Sequence, residues 1–237
     1  LSFLNNNEIK GCFSEDRNSI SYRYLQGQGI EIGALHNPLP VKKGVRVTYV
    51  DRLSVTDLEK HYPELSAYTF TEVDIIDNGE ILDRIQNNSL EFIIANHFLE
   101  HCENPLGTMR NHIKKLKDKG ILYYAIPDKE STFDKNRPLT EFNHLINDDV
   151  NGSSVSREQH FFEWVNIVEN YQDADQIKNR ISVLKAMNYS IHYHVWNLET
   201  AFQFLYNAGK YLNHQFRVVY FEKRNNEIII LLKKDTP

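Results

Sequence analysis

Cysteine is scarce. Cys12 and Cys102 are the only two in 237 residues, too few for a disulfide framework and too far apart for a zinc site built on thiolates. A long hydrophobic run is missing as well. The longest strongly apolar stretch, Ile228 to Leu232, is far too short to span a bilayer. Basic excess is also lacking. The formal net charge is −5, which argues against a non-specific nucleic-acid binder with its basic face. No secretory signal is legible ahead of the first structured element. These absences lead to the expectation of a cytoplasmic protein with no membrane span and no nucleic-acid partner. Glycine is sparse where a nucleotide-binding loop would use it. "GIEIGALHNPLP", residues 29 to 40, ends a short apolar run in an acid and a glycine, then turns on prolines. It lacks the G-x-G-x-x-G cradle of a dinucleotide site.

What is present is ordinary for a globular chain: 41% hydrophobic and 25% charged residues, enough for one large domain. Segments of strand character alternate with segments of helix character. "GIEIGA", "VRVTYVD" ending at Asp51, "AYTFTEVD" ending at Asp74, "LEFIIANH" and "GILYYAIPD" read as five strands. The fourth is a continuous apolar run, as in a central parallel strand. Between them, "SVTDLEKHYPEL", "NGEILDRIQNN" and "PLGTMRNHIKKLKDK" read as helices. The last is the clearest, with Leu106, Met109, Ile113 and Leu116 at helical spacing, and Lys114, Lys115 and Lys117 before Gly120. Only Leu35 to Gly44 separates the first two strands, so the first crossover helix is expected to be very short or replaced by a loop. "LETAFQFLYNAGKYL" reads as an amphipathic helix, followed by a hairpin turning at Asn225 and Asn226. The expectation is an α/β fold: a doubly wound, Rossmann-like sheet of seven strands, mostly parallel. Its last strand is antiparallel and inserted beside the fifth. One domain covers residues 1–237, with an insertion at about 128–197 that carries short helices and covers the acceptor side.

Ligands of such sheets sit at the carboxyl ends of the strands. Those ends place Glu31 and Gly33, Asp51, Asp74, Asn96 and His97, then Pro127 and Asp128, along one edge. A row of acids repels phosphate. It suits a ligand with a positive centre, ribose hydroxyls and an exocyclic amine, as in S-adenosylmethionine.

On these residues the chain resembles the class I S-adenosylmethionine-dependent methyltransferases. "GIEIGA" resembles their first motif, "YVDR" the second and "EVDII" the adenine-contacting motif. "IIANHFLEHCENPLGTMRNHIKKLKDKGILYYAIPD" resembles the fourth strand, helix and fifth strand of members with a leucine-glutamate-histidine signature. The resemblance covers about Gly29 to Asp128 plus the terminal helix and hairpin. "EIGALHNPLP", "IPDKESTFDKNRPLT" and "HYHVW" resemble bacterial methyltransferases that accompany polysaccharide glycosyltransferases. The opening loop departs from the family pattern, with Ala34 and His36 where further glycines are usual.

The resemblance implies S-adenosyl-L-methionine as cofactor, held by Glu31, Gly33, Ala34, Asp51, Arg52, Asp74, Ile75, Asn96 and His97. Glu31 orients the loop or meets the ammonium. Asp51 accepts the ribose hydroxyls, Asp74 or the backbone after it reads the adenine amine, and Asn96 and His97 offer acceptors to the methionine end. The reaction expected is O-methylation of a sugar or another small polar acceptor. A catalytically inactive binding or scaffold domain is the alternative. A hydroxyl acceptor needs a base, and the candidates are His101, Asp128 and His194, with His160 and Glu163 in reserve. His192 and His194 are two apart, so an extended segment puts them on one face. With a carboxylate they offer a metal alternative. No metal is the expectation, and Cys102 is assigned no chemistry.

Overall fold

The computed structural model describes residues 17–235, so Cys12 lies outside the described residues. One seven-stranded sheet organises the fold. Its strands are β1 (Gln28–Ile32), β2 (Arg46–Asp51), β3 (Ile75–Ile76), β4 (Leu90–Asn96), β5 (Leu116–Pro127), β6 (Phe216–Arg224) and β7 (Glu227–Lys234). Their spatial order is β3-β2-β1-β4-β5-β7-β6. Pairing is parallel from β3 to β5, and β7 is antiparallel to both β5 and β6. The terminal hairpin therefore inserts its last strand beside β5, as its alternation and turn residues predict.

Side-chain alternation explains why the sheet is covered on both faces. Phe92 and Ile94 of β4 pack on one side with Tyr123, Ala125, Ile229 and Leu231, beneath Ile20 of helix α1 (Arg17–Tyr24). Ile93 and Ala95 pack on the other with Leu122, Tyr124, Ile228 and Ile230. That side is closed by helices α3 (Pro105–Lys115) and α7 (Leu198–Tyr211), through Leu106, Met109 and Ile113 and through Ala201, Phe204 and Leu205. A strand buried on both faces must be apolar at every position, which is what "FIIA" supplies. Gly29 is required because β1 and β4 approach closely there. A Cβ on it would lie 2.4 Å from the Phe92 ring and carbonyl.

Three expected elements differ. The third strand does not run to Asp74: pairing starts at Ile75 opposite Val50, so Asp74 lies at the amino end of β3 and the strand-end acid is Asp77. "NGEILDRIQNN" forms turns instead of a helix. Asn78 and Asp77 side chains accept the backbone N–H groups of Glu80 and Arg84, both at 2.8 Å, and Leu82 sits at φ 57. Local side-chain acceptors have outcompeted the helical ladder. The clearest helix stops at Lys115, short of Leu116 and Lys117, because Leu116 joins β5 opposite Leu90. The first crossover is a loop, and helix α2 (Val55–His61) follows β2.

Residues 128–197 carry helices α4 (Phe142–Asn151), α5 (Ser154–Glu163), a π-helical turn (Trp164–Val168) and α6 (Ala174–Ala186). They form their own apolar cluster of Phe161, Trp164, Val165, Ile177, Leu184, Ile191 and Tyr193. The segment returns to the sheet at Trp196, which bridges to Asp128 at the carboxyl end of β5. None of the described helices is long and apolar enough to cross a membrane.

Candidate active site

The carboxyl ends of β1, β2 and β4 are adjacent, and the loops leaving them build the first half of the site. Glu31 ends β1 with 1% exposure. Its two carboxylate oxygens accept the same Leu39 N–H, at 2.9 and 3.1 Å, so it staples the far end of the 33–39 loop to the strand. Burial raises its pKa to about 7, against the lowering effects of that N–H and of Arg17. Gly33 stands at φ 65, a conformation that glycine adopts without strain. A Cβ built there meets nothing within 4 Å. The open space above the loop is what an amino-acid tail needs, and Ala34 follows it half-buried.

Asp51 ends β2 and is buried, its pKa raised by desolvation although the Leu53 N–H bonds its Oδ1 at 3.3 Å. Arg52 faces elsewhere. Its guanidinium meets the Asn188 carbonyl (3.2 Å) and His61 (2.8 Å). Asp74 is exposed, and its carboxylate accepts the Tyr49 N–H at 2.8 Å beside the middle of β2. Asp77 instead stands next to Asp51, with its own N–H bonded to the Asp51 carbonyl at 2.9 Å. Ile75 pairs with Val50, one residue before Asp51.

Asn96 and His97 end β4. The Asn96 Oδ1 is buried with no hydrogen-bond partner among the protein groups. His97, at φ 48, offers no acceptor from its ring. Its Nδ1 lies 3.4 Å from Glu100 and its Nε2 3.1 Å from Glu227. Desolvation opposes its charge, but the two carboxylates outweigh that and raise its pKa to about 9. Glu227 is held in turn by Arg17, at 2.7 and 2.5 Å.

The second half of the site lies over β4 and β5. Glu100 is fully buried. Burial works against its charge, yet His97, His101 and His192 together leave its pKa lowered. His101 donates from Nδ1 to the Ile191 carbonyl at 2.9 Å. A carbonyl can only accept, so that nitrogen carries the proton and Nε2 keeps its lone pair. Burial, opposed by Glu100, lowers the His101 pKa to about 4. Ligand atoms of Glu100, His101 and His192 lie within 4.8 Å of one another. His192 Nδ1 meets Asp134 Oδ2 at 2.6 Å, and Asp134 is paired with the buried Arg137 at 2.9 Å.

Two of the three predicted bases stand apart from this group. Asp128 has both oxygens engaged: Oδ1 accepts the Glu130 N–H at 3.1 Å and Oδ2 is ion-paired with Lys223. It caps the 3₁₀ turn after β5 and fixes the hairpin. Beside it a cleft of about 740 Å³ opens between α7 and β6, lined by Phe202, Phe221 and Lys223. His194 belongs to a second group with His144 and His160. His192 and His194 thus enter different clusters although they are two residues apart. Cys102 is buried, and its Sγ donates to the Phe98 carbonyl at 3.3 Å.

Glu100, Asp134 and Arg137 were not singled out from the sequence. Glu100 is the acid within "LEH" and was legible there. Asp134 and Arg137 become visible only when the chain from β5 folds back onto residues 191–196.

A family model described as a methyltransferase domain matches residues 27–181. The chain belongs to that family, the class I S-adenosylmethionine-dependent methyltransferases, and S-adenosylmethionine is its cofactor. No curated protein matches the chain. Among solved structures, the chain is similar to a complex between the Haloferax volcanii Trm112 methyltransferase activator and a methyltransferase. That match has 10% identity and a TM-score of 0.51, covering 90% of this chain and 84% of that one. A SAM-dependent methyltransferase from Methanosarcina mazei matches at 15% identity and a TM-score of 0.48, covering 91% and 96%. The CurJ carbon methyltransferase matches at 11% identity and a TM-score of 0.47. There the match covers 90% of this chain, which spans 50% of that protein. These likenesses concern the fold alone.

Proposed function

We propose that this methyltransferase transfers a methyl group to a hydroxyl of a small polar acceptor such as a sugar, and that His101 is its base. The cofactor supplies a methyl group already activated by its sulfonium, so the protein contributes alignment, desolvation and proton removal. The observation that carries the reading is the fixed tautomer of His101. Its Nδ1–H is tied to the Ile191 carbonyl, which leaves Nε2 as an acceptor at the carboxyl edge of β4. Glu100 is buried beside it and compensates the charge once the imidazole takes the proton. In this reading Glu31 holds the 33–39 loop, Gly33 and Ala34 admit the methionine tail, and Asp51 accepts the ribose hydroxyls. Asp77 takes the place of Asp74 next to the adenine, and the Asn96 Oδ1 accepts from the ligand. The segment 128–197 is the acceptor-side cover of a single domain. Asp128 and His194 are left out of the chemistry, because the first is fully bonded and the second is enclosed elsewhere.

The altered opening loop, with Ala34 and His36 in place of glycines, favours one rival: a domain that binds the cofactor without transferring its methyl group. Calorimetric titration with S-adenosylmethionine, followed by single-turnover transfer to a panel of saccharides, separates the two. Replacement of His101 by Ala is expected to slow transfer roughly 10²–10⁴-fold with cofactor affinity intact. Wild-type turnover in that variant would remove His101 as the base. Binding without transfer across the panel would favour the rival.

A further inference from the structure

The second histidine group is placed differently from the first, and it is built from three elements. His144 lies on α4, His160 on α5, and His194 on the strap that returns the chain to the sheet. Their ligand nitrogens lie within 4.8 Å of one another. His144 Nε2 is 3.0 Å from His160 Nε2 and 3.2 Å from Asp148 Oδ2, one turn along α4. A single ring nitrogen carries at most one proton, so it cannot donate to both neighbours. Three of the four side chains are buried, and His144 is half-buried. His194 is 0%, Asp148 1% and His160 7% exposed. Yet both nitrogens of His194, Nδ1 of His160 and Oδ2 of Asp148 have no hydrogen-bond partner. Leaving one such atom buried and unmatched costs about 1–3 kcal/mol, and one nitrogen of His194 lies within 4.8 Å of the His144 and His160 nitrogens.

We propose that His144, His160 and His194 bind one divalent transition-metal ion of the zinc class, with Asp148, 3.2 Å from His144 Nε2, closing on it as the fourth ligand. Three imidazoles and one carboxylate form a donor set that zinc takes in closed, four-coordinate sites. Tetrahedral ligands at about 2.0–2.1 Å from zinc stand roughly 3.3 Å apart, close to the two separations around His144. One cation accepts a lone pair from one nitrogen of each ring and from the Asp148 carboxylate, where the one proton on His144 Nε2 serves a single neighbour. Asp148 is oriented by the Ser156 hydroxyl at 2.7 Å, a supporting contact of the usual kind for a ligating carboxylate. The nearby Arg137 does not forbid the ion, because Asp134 (2.9 Å) and Glu163 (3.6 Å) meet its charge. With four protein ligands the ion has a structural role. It bolts α4 and α5 to the 191–196 strap and so holds the floor on which His101 and His192 are positioned.

The test uses the untagged chain of residues 1–237, because a polyhistidine tag would bind metal itself. After incubation with zinc and desalting, elemental analysis is expected to find about one ion per chain. Cobalt substitution should give the intense visible bands of tetrahedral Co²⁺. His144→Gln and His160→Gln should each lose most of the bound metal while keeping the wild-type circular dichroism spectrum. A chelator should lower the melting temperature of the wild type and leave that of the two variants unmoved. His192→Gln, in the neighbouring group, should keep its metal. Folded wild type that takes up less than about a tenth of an equivalent would overturn the proposal. So would full metal content in His144→Gln, or loss of metal in His192→Gln with retention in the other two.

Discussion

The edge formed by β1 and β2 and the cover formed by residues 128–197 treat their buried polar groups in opposite ways. On the edge the acids are answered locally. Glu31 takes the Leu39 N–H, Asp51 the Leu53 N–H, and Asp77 the Arg84 N–H. Each is bonded to backbone within eight residues of itself. In residues 128–197 several polar groups are also answered from far along the chain. Arg137 reaches the His192 carbonyl, and His192 reaches Asp134. The edge is built by short loops that bond these acids to their own backbone. Residues 128–197 are tied together by such long-range polar contacts. A polar group satisfied by its own loop reports scaffolding, and an unsatisfied buried one reports function.

The contrast can be broken most sharply at Arg137. Its guanidinium is wholly buried and holds Asp134 at 2.9 Å and the His192 carbonyl at 2.8 Å. Arg137→Met should cost about 3–5 kcal/mol, because it removes the cation of a buried ion pair, and denaturant unfolding will read the loss. A cost within about 1 kcal/mol would mean that the cover is not held by its long-range polar contacts.

On the edge, Glu31 sets a pH dependence. Its pKa rises from 4.5 to about 7 on folding, so the folded state binds more protons than the unfolded chain between those values. Stability from this group is therefore lost as pH rises from about 4.5 through 7, and the shift corresponds to about 3 kcal/mol in all. Glu31→Gln, which keeps an acceptor for Leu39, should flatten that window and raise stability above pH 7. A slope in the variant equal to that of the wild type would remove Glu31 as its source.

Asp51 separates scaffolding from ligand contact within the edge itself. Asp51→Ala should weaken S-adenosylmethionine binding by about 1.5–3 kcal/mol, because it removes an ionised acceptor from a desolvated site. Calorimetry will measure this, and unchanged affinity would defeat the ribose assignment. The smallest effect lies at the joint between the two regions. Asn197 caps α7 in a reciprocal pair with Thr200, at 2.9 and 3.0 Å. Asn197→Ala should lower stability by about 1 kcal/mol, readable as a drop in melting temperature. No change would show that the strap alone fixes the start of α7.

The sequence by itself determined the architecture. The apolar runs of β4, β5 and β7, the helical spacing in α3 and α7 and the Asn225–Asn226 turn specified the sheet, its covering helices and its antiparallel end. Each depends on neighbours within one element or one turn, and such order is written in local periodicity. Glu31, Asp51, Asn96 and His101 were legible as edge residues for the same reason: they stand where an apolar run stops. Asp74 was misplaced because "AYTFTEVDIID" offers two acids, and only pairing with Val50 decides which follows the strand. The helix expected at "NGEILDRIQNN" failed because Asp77 and Asn78 turn the chain with their own side chains. The tertiary structure alone decided the cover. His144, His160 and His194 are up to 50 residues apart, and His192 and His194 part company although they look paired. Such groupings depend on how α4 and α5 pack against the returning strap. That packing is set by the burial of Phe161, Val165, Ile191 and Tyr193, contacts between segments whose local patterns carry no record of one another.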